Sequence, residues 1–112
     1  IPATIYPVPI HIYYGVEKDA HKYFKTVLEK KDRKCIKEFF VGSYNARTCL
    51  TSYSGIALHF KKNNAGLIAH EAFHCVEFVF EKIGIFHTEE TTEAWAYYLG
   101  FLVQQIYDKI YD

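Results

Sequence analysis

Leu67-Ile68-Ala69-His70-Glu71-Ala72-Phe73-His74 is the stretch around which the chain can be organised. Its two histidines are four residues apart, and a glutamate follows the first directly. On an α-helix, positions i and i+4 share one face and are separated by one turn. Both imidazoles can then offer a nitrogen to one metal ion. Glu71 is offset by about 100° from His70. It therefore flanks the metal rather than ligating it, in reach of a proton on a metal-bound water.

The surrounding sequence reads as a long helix. Asn64 is a plausible N-cap, and apolar residues occupy most of the circumference from about 65 to 83: Leu67, Ile68, Ala69, Ala72, Phe73, Val76, Val79, Phe80 and Ile83. The polar exceptions, His70, His74, Glu77 and Glu81, form one stripe. Gly84 ends the helix as a C′ residue, with Lys82 near its negative end. Burying unpaired imidazoles and a carboxylate in so apolar a helix would be costly, which favours a metal site over a merely wet face. Thr88 reads as the cap of a last helix with Glu89 and Glu90 in its first turn and a seam of Trp95, Leu99, Leu102, Ile106 and Ile110.

Upstream, residues 5–14 read as an extended strand, with Pro7 and Pro9 confining pairing before Ile10 to an edge or a strand start. Residues 16–29 form an amphipathic helix with Val16, Ala20, Tyr23, Phe24, Val27 and Leu28 on its buried stripe. Residues 36–41 are ambiguous between strand and helical turn. Residues 46–52 and 56–61 make a hairpin around Tyr53-Ser54-Gly55. In its second arm Ile56, Leu58 and Phe60 alternate with Ala57, His59 and Lys61, the pattern of a strand covered on one face. That reading leaves His59 on the exposed side and makes 56–61 an edge strand. His21 reads as a surface residue, and His11 carries no signal.

Composition sets outer limits. The 112 residues make one domain, 1–112, of which half is hydrophobic and 18% aromatic, with ten Tyr and nine Phe. Net charge is zero, so the basic excess usual for a nucleic-acid binder is absent. The basic stretches Lys30-Lys31-Asp32-Arg33-Lys34 and Lys61-Lys62 read as solvated turns. No apolar run approaches the ~20 residues of a membrane span. Three cysteines, Cys35, Cys49 and Cys75, fit no metal-binding spacing. Their odd number leans towards a reducing, cytoplasmic compartment, while a Cys35–Cys49 disulfide stays open for an exported protein. A chain that starts at Ile1 and has no Met reads as trimmed from a longer precursor or as lacking its start, so the compartment itself is undetermined.

A catalytic zinc takes three protein ligands and leaves a fourth position for water. Two helices joined by a short link lie antiparallel, which brings the start of the last helix near the metal helix. Glu93, between the Thr92 and Ala94-Trp95-Ala96 positions, is the best third ligand on that argument, with Glu90 one turn earlier in reserve. Glu77 lies about 10.5 Å along the axis from His70, too far to share one ion. Glu71-x-x-His74 is also the unit of di-iron four-helix proteins, but those need a second such motif and four long helices, and this sequence has neither. Tyr97, Tyr98 and His87 are candidates to stabilise an oxyanion.

Hairpin, Leu67-Ile68-Ala69-His70-Glu71-Ala72-Phe73-His74, and then Thr92-Glu93-Ala94-Trp95-Ala96-Tyr97 together resemble the gluzincin metallopeptidases. In size the chain is similar to the minimal minigluzincins and to small zincin-like metallopeptidases of phage genomes. The resemblance covers roughly residues 46–105. It implies an α+β, minimal zincin-like domain: a small twisted, mostly antiparallel sheet, a packed active-site helix, a C-terminal glutamate-bearing helix and an N-terminal helix. It implies Zn²⁺ on His70, His74 and Glu93, Glu71 as general base, and a peptide or protein substrate docked along strand 56–61. Glu77 and Phe80 stand where metzincins have a glycine and a third histidine. Tyr97 stands where larger gluzincins often have an acid, which leaves the histidines' outer partner unassigned, and no second lobe walls a cleft. A zincin-shaped binding or structural protein, with a structural or vestigial zinc, is the alternative. A latent enzyme covered by its N-terminal segment is a third reading.

Overall fold

Residues 8–111 are described by a computed structural model, Ile36 through its backbone alone. In order they form β1 (Ile10–Tyr14), α1 (Glu17–Val27), a 3-10 turn (Lys30–Asp32), α2 (Arg33–Phe39), β2 (Ala46–Leu50), β3 (Ile56–Phe60), α3 (Ala65–Ile83) and α4 (Thr92–Tyr111). The ambiguous run at 36–41 thus belongs to a helix, while the part of the first strand expected at 5–7 lies outside the described residues.

The architecture is α+β, with one three-stranded mixed sheet in the order β1-β3-β2. β1 runs parallel to β3, with Ile10 beside Ile56 and Tyr14 beside Phe60. β2 runs antiparallel to β3, with Ala46 beside Phe60 and Leu50 beside Ile56. One of the two pairings is therefore parallel, and the sheet is less antiparallel than expected.

The strand order corrects a second expectation. β3 is the central strand, and the free edges among the described residues belong to β1 and β2. The alternation in β3 does not mean one covered face. Ile56, Leu58 and Phe60 pack with Ile10 and Ile12 against Ile68, Ala72, Val76, Val79 and Phe80 of α3 and Tyr98, Leu102 and Ile106 of α4. Ala57, on the opposite face, packs with Ala20, Phe24, Leu28 and Phe39 of the α1–α2 layer. Parallel pairing makes the difference: it needs a long crossover, and here the crossover lays α1 and α2 over the face that a bare hairpin would leave wet.

His59 is consequently buried. Its Nε2 donates to Gly15 O at 2.8 Å, and its Nδ1 accepts from the Tyr44 hydroxyl at 2.9 Å, which fits the neutral ring. Burial holds its pKa below the ordinary 6.5, with Lys61 acting in the same direction and the Gly15 carbonyl and Glu17 opposing. Burial depresses His11 likewise, despite its bond to Ser54 O. Below pH 6.5 the unfolded chain binds protons that the folded chain refuses, so stability is complete above that pH and falls as the pH drops towards the folded values. Thermal melts from pH 7.5 to 5 should show a falling Tm, with a shallower fall for His59→Gln. A flat profile in the native chain would contradict this reading.

The basic stretch at 30–34 is not simply a solvated turn. Asp32 is fully buried. Its carboxylate accepts from the amides of Ser52 at 3.1 Å and Tyr53 at 3.2 Å, and from the Ser54 hydroxyl at 2.5 Å. Ser54 Oγ in turn accepts from the Glu29 amide at 2.8 Å. The carboxylate thus ties the 3-10 turn to the β2–β3 turn. Asp32→Ala should cost about 3 kcal/mol in chemical denaturation, because two amides and a hydroxyl lose a charged acceptor away from water.

The helix that opened the reading forms where expected. Asn64 Oδ1 accepts from the Leu67 amide at 2.9 Å, and Gly84 adopts φ 80° while the Ile85 amide closes onto Phe80 O. α4 begins later than expected, at Thr92 rather than after Thr88. Thr91 Oγ1 bonds to the Phe86 carbonyl and accepts from the Thr88 amide, so this side chain holds 88–91 in a turn of its own. The first helical bond then runs from the Trp95 amide to Thr91 O. Glu89 and Glu90 sit in that turn, and Glu93 is the acid of the first helical turn. No helix among the described residues is long and apolar enough to cross a membrane.

Candidate metal centre

α3 packs one side on the sheet and another on α4, which leaves the His70–His74 stripe facing outwards. Both imidazoles are accessible, and their Nε2 atoms stand 3.1 Å apart. Two nitrogens at ordinary Zn–N lengths with a tetrahedral angle between them would be separated by about 3.3 Å. The two nitrogens are thus spaced as two ligands of one zinc would be. The far side of His74 is held as well: Nδ1 lies 3.2 Å from Glu77 Oε1. A carboxylate at Nδ1 fixes the ring's orientation and turns Nε2 towards His70. Glu77, judged from sequence only as a possible ligand and found too distant, touches His74 instead. The His74-x-x-Glu77 spacing was the available signal.

Glu71 points from the same turn towards the sheet. Its carboxylate is almost fully buried beside β2, where Oε1 accepts from Thr48 Oγ1 at 2.7 Å, while Oε2 lies 3.8 Å from His70 Nε2. The buried side holds the carboxylate in place, and the other oxygen faces the histidines. Thr48 has no signal in the sequence, since only the packing of β2 on α3 brings it there. Below Glu71, Cys75 is buried, and burial together with the Glu71 charge pushes its thiol well above the ordinary range. Cys49 is also pushed up, to about 11, chiefly by burial and then by Cys35. All three cysteines are free thiols.

The β2 edge beside Glu71 is open. Thr51 N bonds to Gly55 O and Lys61 N to Asn45 O. Hydrogen-bonded positions alternate in an antiparallel ladder. Arg47 and Cys49 therefore pair inwards, and Ala46, Thr48 and Leu50 aim their amides and carbonyls outwards.

Other expected site residues are not brought to this point. Trp95 packs on Phe80 at 5.1 Å, on Phe73 at 6.3 Å and under His87 at 4.6 Å between ring centres. Glu93 lies two residues earlier, about 160° around the helix from Trp95, and so on the side away from α3. Glu93 and Glu90 are exposed, and neither forms a hydrogen bond or ion pair with His70 or His74 among the described residues. Tyr97 is 77% exposed, Tyr98 is a core residue stacked on Phe80, and His87 is engaged with Trp95. Among the described residues no three His, Cys, Asp or Glu side chains stand together as a set that could hold a metal ion. The residues present thus fit a zinc in part: two imidazoles in contact, a buttressed ring and an adjacent carboxylate, with the third ligand not in place.

Compared with known proteins, the chain matches no family model, no curated protein and no solved structure.

Proposed function

We propose that this chain is a minimal zincin-like metallopeptidase that hydrolyses peptide bonds with zinc. The observation that carries the reading is the 3.1 Å approach of the His70 and His74 Nε2 atoms next to a Glu71 carboxylate held by Thr48. His70 and His74 are the ligands; Glu93, on the opposite face of α4, becomes the third only if the first turn of α4 unwinds or turns to bring it round. When bound, zinc acidifies a water and polarises the scissile carbonyl. Glu71 takes the proton from the attacking water and delivers it to the departing amine. Thr48 keeps that carboxylate from swinging away, and Glu77 keeps the His74 ring in register. A substrate strand docks on the open edge of β2, at Ala46, Thr48 and Leu50, rather than on the central β3, and presents its backbone beside Glu71. Tyr97 remains the oxyanion donor of this proposal, carried by α4 together with Glu93.

Elemental analysis of the purified protein tests the metal. Near-stoichiometric zinc in the native chain and its loss in His70→Ala/His74→Ala are expected, and zinc-free protein would sink the proposal. Glu93→Ala should lower zinc affinity by about tenfold or more. Unchanged affinity would remove Glu93 from the ligand set.

The outward position of Glu93 favours a second reading, a non-catalytic zincin-shaped binding or structural protein. Full zinc content with no cleavage of a peptide library, by either the native chain or Glu71→Gln, would select it. The latent-enzyme reading rests on an N-terminal segment whose first seven residues lie outside the described residues.

A further inference from the structure

On the far side of the sheet from the histidines, α1 and α2 enclose a cleft of about 460 Å³ lined by His21, Lys25, Arg33 and Lys37. Its lining contains no carboxylate. His21 and Lys25 are an i, i+4 pair on α1, and Arg33 and Lys37 are an i, i+4 pair on α2, so three cationic side chains and an imidazole face one opening. The Arg33–Lys37 pair destabilises its helix by a few tenths of a kcal/mol, and Lys25 facing it across the cleft adds repulsion. None of Lys25, Arg33 and Lys37 forms an ion pair among the described residues, whose ion pairs are Lys61–Glu17, His70–Glu71 and His74–Glu77. His21 is held at the rim by its ring, stacked on Phe40 at 4.9 Å between centres. Charge is also segregated along the chain. Residues 1–62 carry eleven Lys and Arg against five Asp and Glu, while residues 63–112 carry two against eight.

We propose that this cleft binds a ligand with two or more adjacent phosphate groups. Repulsion that serves nothing in the free protein is relieved by a polyanion, and the volume falls in the range of small-molecule sites. The planar fork of Arg33 suits two phosphate oxygens at once, while Lys25 and Lys37 act as point charges on either side. A free diphosphate and the diphosphate of a nucleotide share this chemistry. The site lies apart from the histidines and does not depend on the hydrolytic reading.

Calorimetric titration with sodium pyrophosphate and with ADP, beside sodium sulfate at matched ionic strength, tests it on the whole chain. Pyrophosphate should bind and raise the Tm while sulfate has little effect, and ADP binding more tightly than pyrophosphate would identify a nucleotide. The double variant Arg33→Gln/Lys37→Gln should melt at the same or a higher temperature without ligand and lose about tenfold or more in pyrophosphate affinity. Withdrawal of a metal by pyrophosphate would affect both proteins equally, so the comparison isolates the cleft. Equal affinity in the two proteins, an equal response to sulfate, or tighter binding of duplex DNA than of either diphosphate would overturn the proposal.

Discussion

Glu71→Gln should leave the zinc content unchanged and cut peptide cleavage by about 10²–10⁴-fold. The substitution preserves shape, and the amide oxygen still accepts from Thr48 Oγ1, now at 2.7 Å from Glu71 Oε1. Zinc should stay because Glu71 is not in the ligand set. Cleavage should fall because an amide takes no proton from water. Thr48→Val should give a milder loss, roughly tenfold, since the base survives but loses a hydrogen bond to a charged group. Glu71→Gln retaining full activity would take Glu71 out of the mechanism, whatever the metal does.

Gly55→Ala is expected to be the most damaging change to the fold, costing roughly 3–5 kcal/mol in chemical denaturation, a large part of what a domain of this size has. Gly55 adopts φ +90°, where a side chain is strained. The more severe problem is space: a Cβ there would sit 2.2 Å from Pro9 O. That carbonyl accepts from the Ile56 amide at 2.9 Å, the bond that opens the β1–β3 pairing. Adding a methyl group must push β1 away from β3 at the start of the only parallel pairing in the described sheet. A loss below 1 kcal/mol would mean that the turn can move without disturbing β1.

Both outcomes depend on contacts that differ in how far sequence can reach them. α3 was legible in full, because a capping asparagine, a 3.6-residue apolar period and a terminal glycine are local signals that agree with each other. The hairpin was legible for the same reason. His70, Glu71 and His74 share a turn, and their relative placement follows from helix geometry alone. Glu77 was visible as a spacing but not as a role, since i, i+3 neighbours meet only if the rotamers bring them together.

The rest turned on partners distant in sequence. A strand alternating Ile, Leu and Phe with Ala, His and Lys reads as half-exposed until β1 pairs with it in parallel and the crossover buries its other face. His59, Asp32 and Thr48 acquire their environments only through partners 22 to 44 residues away, Gly15, Ser54 and Glu71. The start of α4 slipped three residues because Thr91 found the Phe86 carbonyl, and the packing of Trp95 on α3 decides which way Glu93 faces. The amino-acid sequence by itself therefore determined helix α3, the sharing of one turn by His70, Glu71 and His74, and the α+β class, all products of short-range periodicity and capping. Tertiary structure alone decided the strand order, which edge is open, what braces Glu71, and that the proposed third ligand faces outwards, because each depends on the packing of one element against another.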